Sequence, residues 1–208
     1  ESQRGPKFKE RGNEGKRERG NEGTRVNERK QKKELTNHVA TTTTVVSTGA
    51  FRLLNFSSSL KLYEDVGMNG FGVKDTCGTV WDCGLILAGF LSTTAGRSLL
   101  ASAKQGIAVD VGAGTGVAAL ALAQLNLNNI TKIVATDVET GVALAQKNIT
   151  LNGYGPSSEP PVVAVELWWG QDQEENVLKK LPVSIVLAAD VVYNETSSIA
   201  LCKTLNAL

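Results

Sequence analysis

The stretch GIAVDVGAGTG, residues 106–116, reads as a strand that runs directly into a glycine turn. Gly106 to Val111 are almost wholly apolar, as expected of a parallel strand covered on both faces. Glycines follow at positions 112, 114 and 116, and Val117 to Leu125 (VAALALAQL) then has high helix propensity. Glycine lets a backbone turn tightly and approach a ligand with no Cβ in the way. A helix that starts there offers unbonded backbone N–H groups. Strand, glycine turn and helix in this order predict the ligand-binding crossover of an α/β protein.

Working outward, the same alternation continues towards the C-terminus. Lys132 to Asp137 (KIVATD) reads as the next strand and Glu139 to Ile149 as the next helix. A glycine- and proline-rich loop intervenes before a third strand, Val162 to Leu167. Gln171 to Lys180 reads as a short polar helix, Val183 to Ala189 as a fourth strand, and Thr196 to Leu205 as a further helix. This order argues for a parallel sheet with helices on both faces, whose ligands sit beyond the C-terminal strand ends. Functional residues are therefore expected at 111–116, 137–139, 168–170 and 189–193. Towards the N-terminus, an apolar helix spans Leu85 to Leu91, and Gly67 to Gly72 is a loop. Phe51 to Leu54 and Leu60 to Tyr63, separated by Ser57-Ser58-Ser59, suggest a β-hairpin.

The glycine spacing narrows the ligand. A dinucleotide fingerprint is G-x-G-x-x-G, whereas here the glycines alternate and Asp110 precedes them. Asp137 ends the second strand, where a carboxylate can accept both ribose hydroxyls of a nucleoside cofactor. A plainer role for Asp137 is to cap the helix that begins at Glu139.

Asp110-Val111-Gly112-Ala113-Gly114-Thr115-Gly116 resembles motif I of the seven-strand S-adenosylmethionine methyltransferases, and a carboxylate beside the loop suits the ammonium of the cofactor's methionine. Four further matches occur in order: Trp81-Asp82 before the first helix, Asp137, Trp169-Gly170 after the third strand, and Asp190-Val191-Val192-Tyr193 after the fourth. Together they resemble methyltransferase family 16, seven-strand enzymes that methylate lysines of non-histone proteins. The resemblance covers roughly residues 78–208.

It implies a Rossmann-like α/β core that binds S-adenosyl-L-methionine. Trp81, Asp110, Gly112, Ala113, Gly114, Gly116, Asp137, Trp169 and Ala189 would bind the cofactor. Trp169 would lie against adenine, and Trp168 falls where the family pattern is variable. Asp190 and Tyr193 would be the catalytic, substrate-side pair. Packing is the plain alternative for Trp81 and Trp169, as is capping of the helix near Thr196 for Asp190. The family pattern also has three strands after the fourth. Only about four parallel strands and the hairpin can be placed here, so an incomplete and poorly stable polypeptide is expected. A catalytically inactive cofactor-binding module, or a methyltransferase acting on another nucleophile, are the competing functions.

Composition frames these readings. Residues 1–34 hold 12 Lys and Arg against 7 Asp and Glu, leaving 10 against 14 in the remainder. The near-neutral total thus joins a basic tail to a mildly acidic globular part. Residues 1–35 have too few apolar side chains to offset ordering entropy and are expected to be a disordered charged tail. Residues 36–79 would form an N-terminal extension and 80–208 the cofactor-binding domain. Interleaved glutamates in the tail argue against nucleic acid as a partner. No stretch reaches the roughly 18 unbroken apolar residues of a membrane span. Cys77, Cys83, Cys202 and a lone His38 lack zinc-ligand spacing, so no metal is expected. The expected setting is cytosol or nucleus, and the expected partner is a protein presenting a lysine to a monomeric enzyme.

Overall fold

The computed structural model describes residues 46–48, 51–55, 60–65, 76–171 and 179–208. The expected tail, the 67–72 loop, His38, the serine turn and most of the expected 171–180 helix lie outside the described residues. Among the described residues the chain forms two sheets and five α-helices. In chain order these are β1 (Val46–Thr48), β2 (Phe51–Asn55), β3 (Lys61–Asp65), α1 (Asp82–Ser92), α2 (Thr94–Ala101), β4 (Gly106–Val111), α3 (Val117–Ala123), β5 (Ile130–Asp137), α4 (Glu139–Leu151), β6 (Val162–Glu166), β7 (Val183–Ala188) and α5 (Glu195–Ala207).

The four later strands form one parallel sheet in the order β6-β5-β4-β7. The chain steps from β4 to β5 to β6, then crosses back to place β7 on the other side of β4. That reversal opens a crevice beyond the C-terminal ends of β4 and β7, where open α/β sheets take their ligands. Helices cover both faces. On one face Ala108, Leu120, Leu122, Ile133, Ile149 and Val162 are buried together, with Ala88 and Leu91 of α1. On the other, Val109 and Val111 of β4 pack with Val191 and Leu201 of α5. The alternation along β4 follows from its pleat.

The N-terminal part is more than a hairpin. β1 adds a third antiparallel strand, giving the order β1-β2-β3. α2 is also absent from the sequence reading, because it is only eight residues long and starts one residue after α1 ends. Thr93 starts it, with its Oγ1 accepting from the Gly96 N–H, and Gly96 allows the tight corner with α1.

The small sheet is docked onto the domain by two asparagines of α4. Asn148 Oδ1 accepts from the Tyr63 N–H at 2.7 Å, and its Nδ2 donates to the carbonyls of Tyr63 and Thr115. One turn later, Asn152 Oδ1 accepts from the Lys61 N–H and its Nδ2 donates to the Lys61 carbonyl. A helical i, i+4 pair thus matches the i, i+2 repeat of a strand edge, and each amide serves both backbone groups of its residue. Leu60 and Leu62 then enter the main core, and buried Glu64 accepts from the Val80 N–H at 2.7 Å.

Asn148→Ala removes three hydrogen bonds of a fully buried side chain, and is expected to destabilise the protein by about 3 kcal/mol. Asn152→Ala, at a partly exposed position, is expected to cost about 1 kcal/mol. Urea unfolding of the two variants checks the order; equal losses would show that Asn148 is not the principal tether.

Candidate functional site

The site is built around the turn after β4. Gly112 and Gly114 both have left-handed backbone conformations, with φ of +68° and +53°. A Cβ on Gly112 would stand 2.9 Å from both the Trp169 ring and Val191, and one on Gly114 would stand 3.1 Å from the Cys77 carbonyl oxygen. Space and dihedral therefore both require glycine. The Ala113 N–H donates to the Thr136 carbonyl, which pins the turn to β5.

Three carboxylates stand around this turn, and each accepts from a backbone N–H of another element. Asp110 is buried, and its Oδ2 accepts from the Ala119 N–H at 3.0 Å. The residue before α3 is Gly116, which has no side chain to cap it, so Asp110 supplies that service from the preceding strand. Burial pushes the Asp110 carboxyl up to about 7, with the Asp137 charge adding to the rise and the Ala119 bond opposing it. Asp137 Oδ2 accepts from the Gly114 N–H at 2.7 Å and its Oδ1 from the Val138 N–H at 2.8 Å. Burial raises this carboxyl too, and the two N–H bonds restrain the rise. Asp190 Oδ2 accepts from the Cys83 N–H at 2.9 Å, in the first turn of α1. The bond from the Cys83 thiol to Asp190 is the main reason that thiol is held above its ordinary range.

The capping roles therefore differ from the plain alternatives read in the sequence. Asn194, not Asp190, caps α5, with its Oδ1 accepting from the Ser197 N–H at 2.8 Å. Asp137 bonds the residue that precedes α4, while also holding the glycine turn.

Aromatic side chains form the remaining walls. The rings of Trp169 and Tyr193 lie 6.4 Å apart at 47°. Gly170, at φ +75°, lets α5 come close, since a Cβ there would meet Ala200 at 3.2 Å. Trp81 is half-exposed, and its Nε1 donates to the Thr76 carbonyl at 2.8 Å. Trp168 is equally exposed and its Nε1 donates to Glu166 Oε1 at 2.7 Å.

These groups enclose a cavity of roughly 700 Å³ at the C-terminal ends of β4, β5 and β7. Trp81, Asp110, Gly112, Ala113, Gly114, Asp137, Trp169, Ala189, Asp190 and Tyr193 all line it. Gly116 does not. It is buried, a Cβ there would meet Ala145 of α4 at 3.6 Å, and its left-handed φ of +78° serves the start of α3. Trp168, to which the sequence reading assigned no role, lines the cavity as well, as do Cys77, Leu167 and Thr196. No sequence pattern marks Cys77; it arrives because the 76–78 turn crosses over Gly114. Gly141 was also missed: a Cβ there would collide with the Asp137 carboxylate. The acidic residues in the lining are Asp110, Asp137 and Asp190, and no lysine or arginine lines it among the described residues. Such a lining favours a cationic ligand and disfavours a pyrophosphate.

Residues 57–208 match a family model described as lysine methyltransferase. The chain is also similar to protein-lysine N-methyltransferase EFM6 of Saccharomyces cerevisiae, with 32% identity over 161 residues, covering 71% of this chain and 62% of that protein. It is similar to protein-lysine N-methyltransferase EFM3 of the same yeast, with 31% identity over 99 residues, covering 47% of this chain and 28% of that protein. The chain thus spans about three-fifths of the first relative's length and less than a third of the second's.

The buried carboxyl of Asp110 makes stability depend on pH. Its folded-state value of about 7 lies above the ordinary 3.8, so the folded protein holds the proton more tightly. The contribution is fully present below about pH 4 and is lost as pH rises through 7, by at most roughly 4 kcal/mol. Asp110→Asn retains an oxygen for the Ala119 N–H and cannot ionise. Its stability relative to the parent should therefore increase from pH 5 to pH 8 in urea unfolding. A difference that stays constant across that range would contradict the assignment.

Proposed function

The chain belongs to the lysine methyltransferase family, and on that premise we propose that it binds S-adenosyl-L-methionine in this cavity and transfers the methyl group to a lysine side chain of a non-histone protein. The observation that carries the proposal is the lining itself: a glycine turn, aromatic walls and three carboxyl groups, with no opposing cation among the described residues. A donor with an ammonium and a sulfonium, and an acceptor that arrives as an ammonium, both suit that field. The donor supplies a methyl group on positively charged sulfur, which leaves as a neutral thioether once the new N–C bond has formed.

The protein's own groups divide the remaining work. Each oxygen of Asp137 accepts one backbone N–H and retains a further lone pair for ribose hydroxyls. Trp169, beside Gly112 and Tyr193, offers an apolar face to adenine. Asp190 and Tyr193 are both exposed at the cavity, where they would meet the incoming lysine. That lysine must lose its proton first, which at pH 7 costs about 4.6 kcal/mol from a reference value near 10.4. Exclusion of water from the cavity when the substrate covers it would lower the cost by disfavouring the ammonium. Asp190 alone would raise it, so its charge serves to draw the ammonium in and to stabilise the methylated cation. Alignment of amine, methyl and sulfur supplies most of the acceleration. The same proposal places the protein in the cytosol or nucleus, acting as a monomer on a protein partner.

Incubation with methyl-labelled S-adenosylmethionine and cell extract should label proteins on lysine. Asp137→Ala should weaken cofactor binding in calorimetry at least tenfold and reduce labelling accordingly. Label found on histidine or an N-terminus would reassign the acceptor. Cofactor binding with no transferred label would make the chain a binding module, and preferential binding of NAD would overturn the proposal.

A further inference from the structure

Cys83 and Asp190, 107 positions apart in the chain, are joined by a backbone-to-carboxylate hydrogen bond that ties the start of α1 to the turn after β7. On one side, α1 begins after Trp81, whose side chain provides no cap. On the other, Asp190 follows β7 with a left-handed φ of +57°, a conformation that is uncommon for residues other than glycine and in which asparagine and aspartate are enriched. That backbone turn presents the carboxylate to the Cys83 N–H at 2.9 Å. The Cys83 thiol bonds the same carboxylate. An orphan N–H in the first turn of α1 is thereby satisfied from across the site, much as an N-cap side chain would do locally. Trp81 stands immediately before that turn and lines the cavity together with Gly84 of α1.

We propose that Asp190 is a positioning residue that caps α1 across the cavity and so holds the Trp81 wall in place for the cofactor. This role is additional to its meeting with the substrate and rests on the methyltransferase reading above. It is carried by the acceptor oxygen and the left-handed turn, and it does not require the negative charge. Asparagine supplies the same oxygen and tolerates the same φ. Glycine tolerates the φ and supplies no oxygen, so it removes the cap without adding backbone strain.

The test compares Asp190→Asn with Asp190→Gly in the full chain. Calorimetric titration with S-adenosylhomocysteine, which reports the cofactor site without turnover and lacks the sulfonium charge, should show Asp190→Gly binding about tenfold more weakly than Asp190→Asn. Hydrogen exchange, which needs no cofactor, should show the Cys83 amide protected in the parent and in Asp190→Asn, and unprotected in Asp190→Gly. Unfolding midpoints establish that both variants are folded. Parent-like affinity in Asp190→Gly would overturn the positioning role, as would an equal loss in Asp190→Asn, because charge would then be the operative property. A parent protein that binds no S-adenosylhomocysteine would overturn the cofactor reading. In that case protection of Cys83 in Asp190→Gly would also refute the cap, and loss of protection only there would uphold the cap alone.

Discussion

The Asp137 carboxylate is the joint on which the site turns. It ends β5, and its two oxygens take the Gly114 N–H from the turn beyond β4 and the Val138 N–H at the entry to α4. Two parallel strands that end side by side leave backbone donors pointing into the same crevice, and an unsatisfied donor there is costly. A short carboxylate at a strand end satisfies both donors at once. It also fixes the distance between the glycine turn and β5, and hence one dimension of the cavity. Gly141 is part of the same constraint, since any side chain there would displace the carboxylate.

Asp110 and Asp190 repeat the device with different partners. Asp110 caps α3 from within β4, and Asp190 caps α1 from beyond β7. Neither helix has a side-chain cap of its own. The domain thus uses acids that face its ligand cavity as the fasteners of the helices around that cavity. The groups proposed to meet the ligand and the framework are therefore not separable here. A field that attracts cations is a consequence of how the walls are held. The raised carboxyl of Asp110 is the corresponding cost, because burial disfavours its charge while the fold still requires its oxygen.

Much of the sheet was legible in sequence. The apolar run 106–111, the KIVATD strand and the VSIVLA strand are short, continuous and bounded by turn residues, and their observed limits differ from the reading by at most two residues. β1 and α2 were not legible, because three residues make no pattern and α2 is only eight residues long and follows α1 after a single residue. Ten of the eleven proposed site residues line one cavity. Gly116 does not, although it belongs to the same glycine repeat. Alternate glycines in a turn face different ways, and spacing cannot say which faces the ligand. Trp168 shows the converse: one residue from Trp169, it reaches the same cavity because the chain leaves the strand at that point and loses its alternation.

Sequence by itself determined the class of fold, the order of its elements and the chemistry available at each strand end. Those properties reside in local periodicity, glycine placement and residue type, all of which act over a few neighbours. Tertiary structure decided what each group does there. Asp190 serves α1, which begins more than a hundred residues earlier, and Asn148 serves a strand edge 85 residues away. Such pairings depend on which backbone donors remain unsatisfied after the strands have paired. That is settled by packing across the whole domain, and no single stretch of chain contains it.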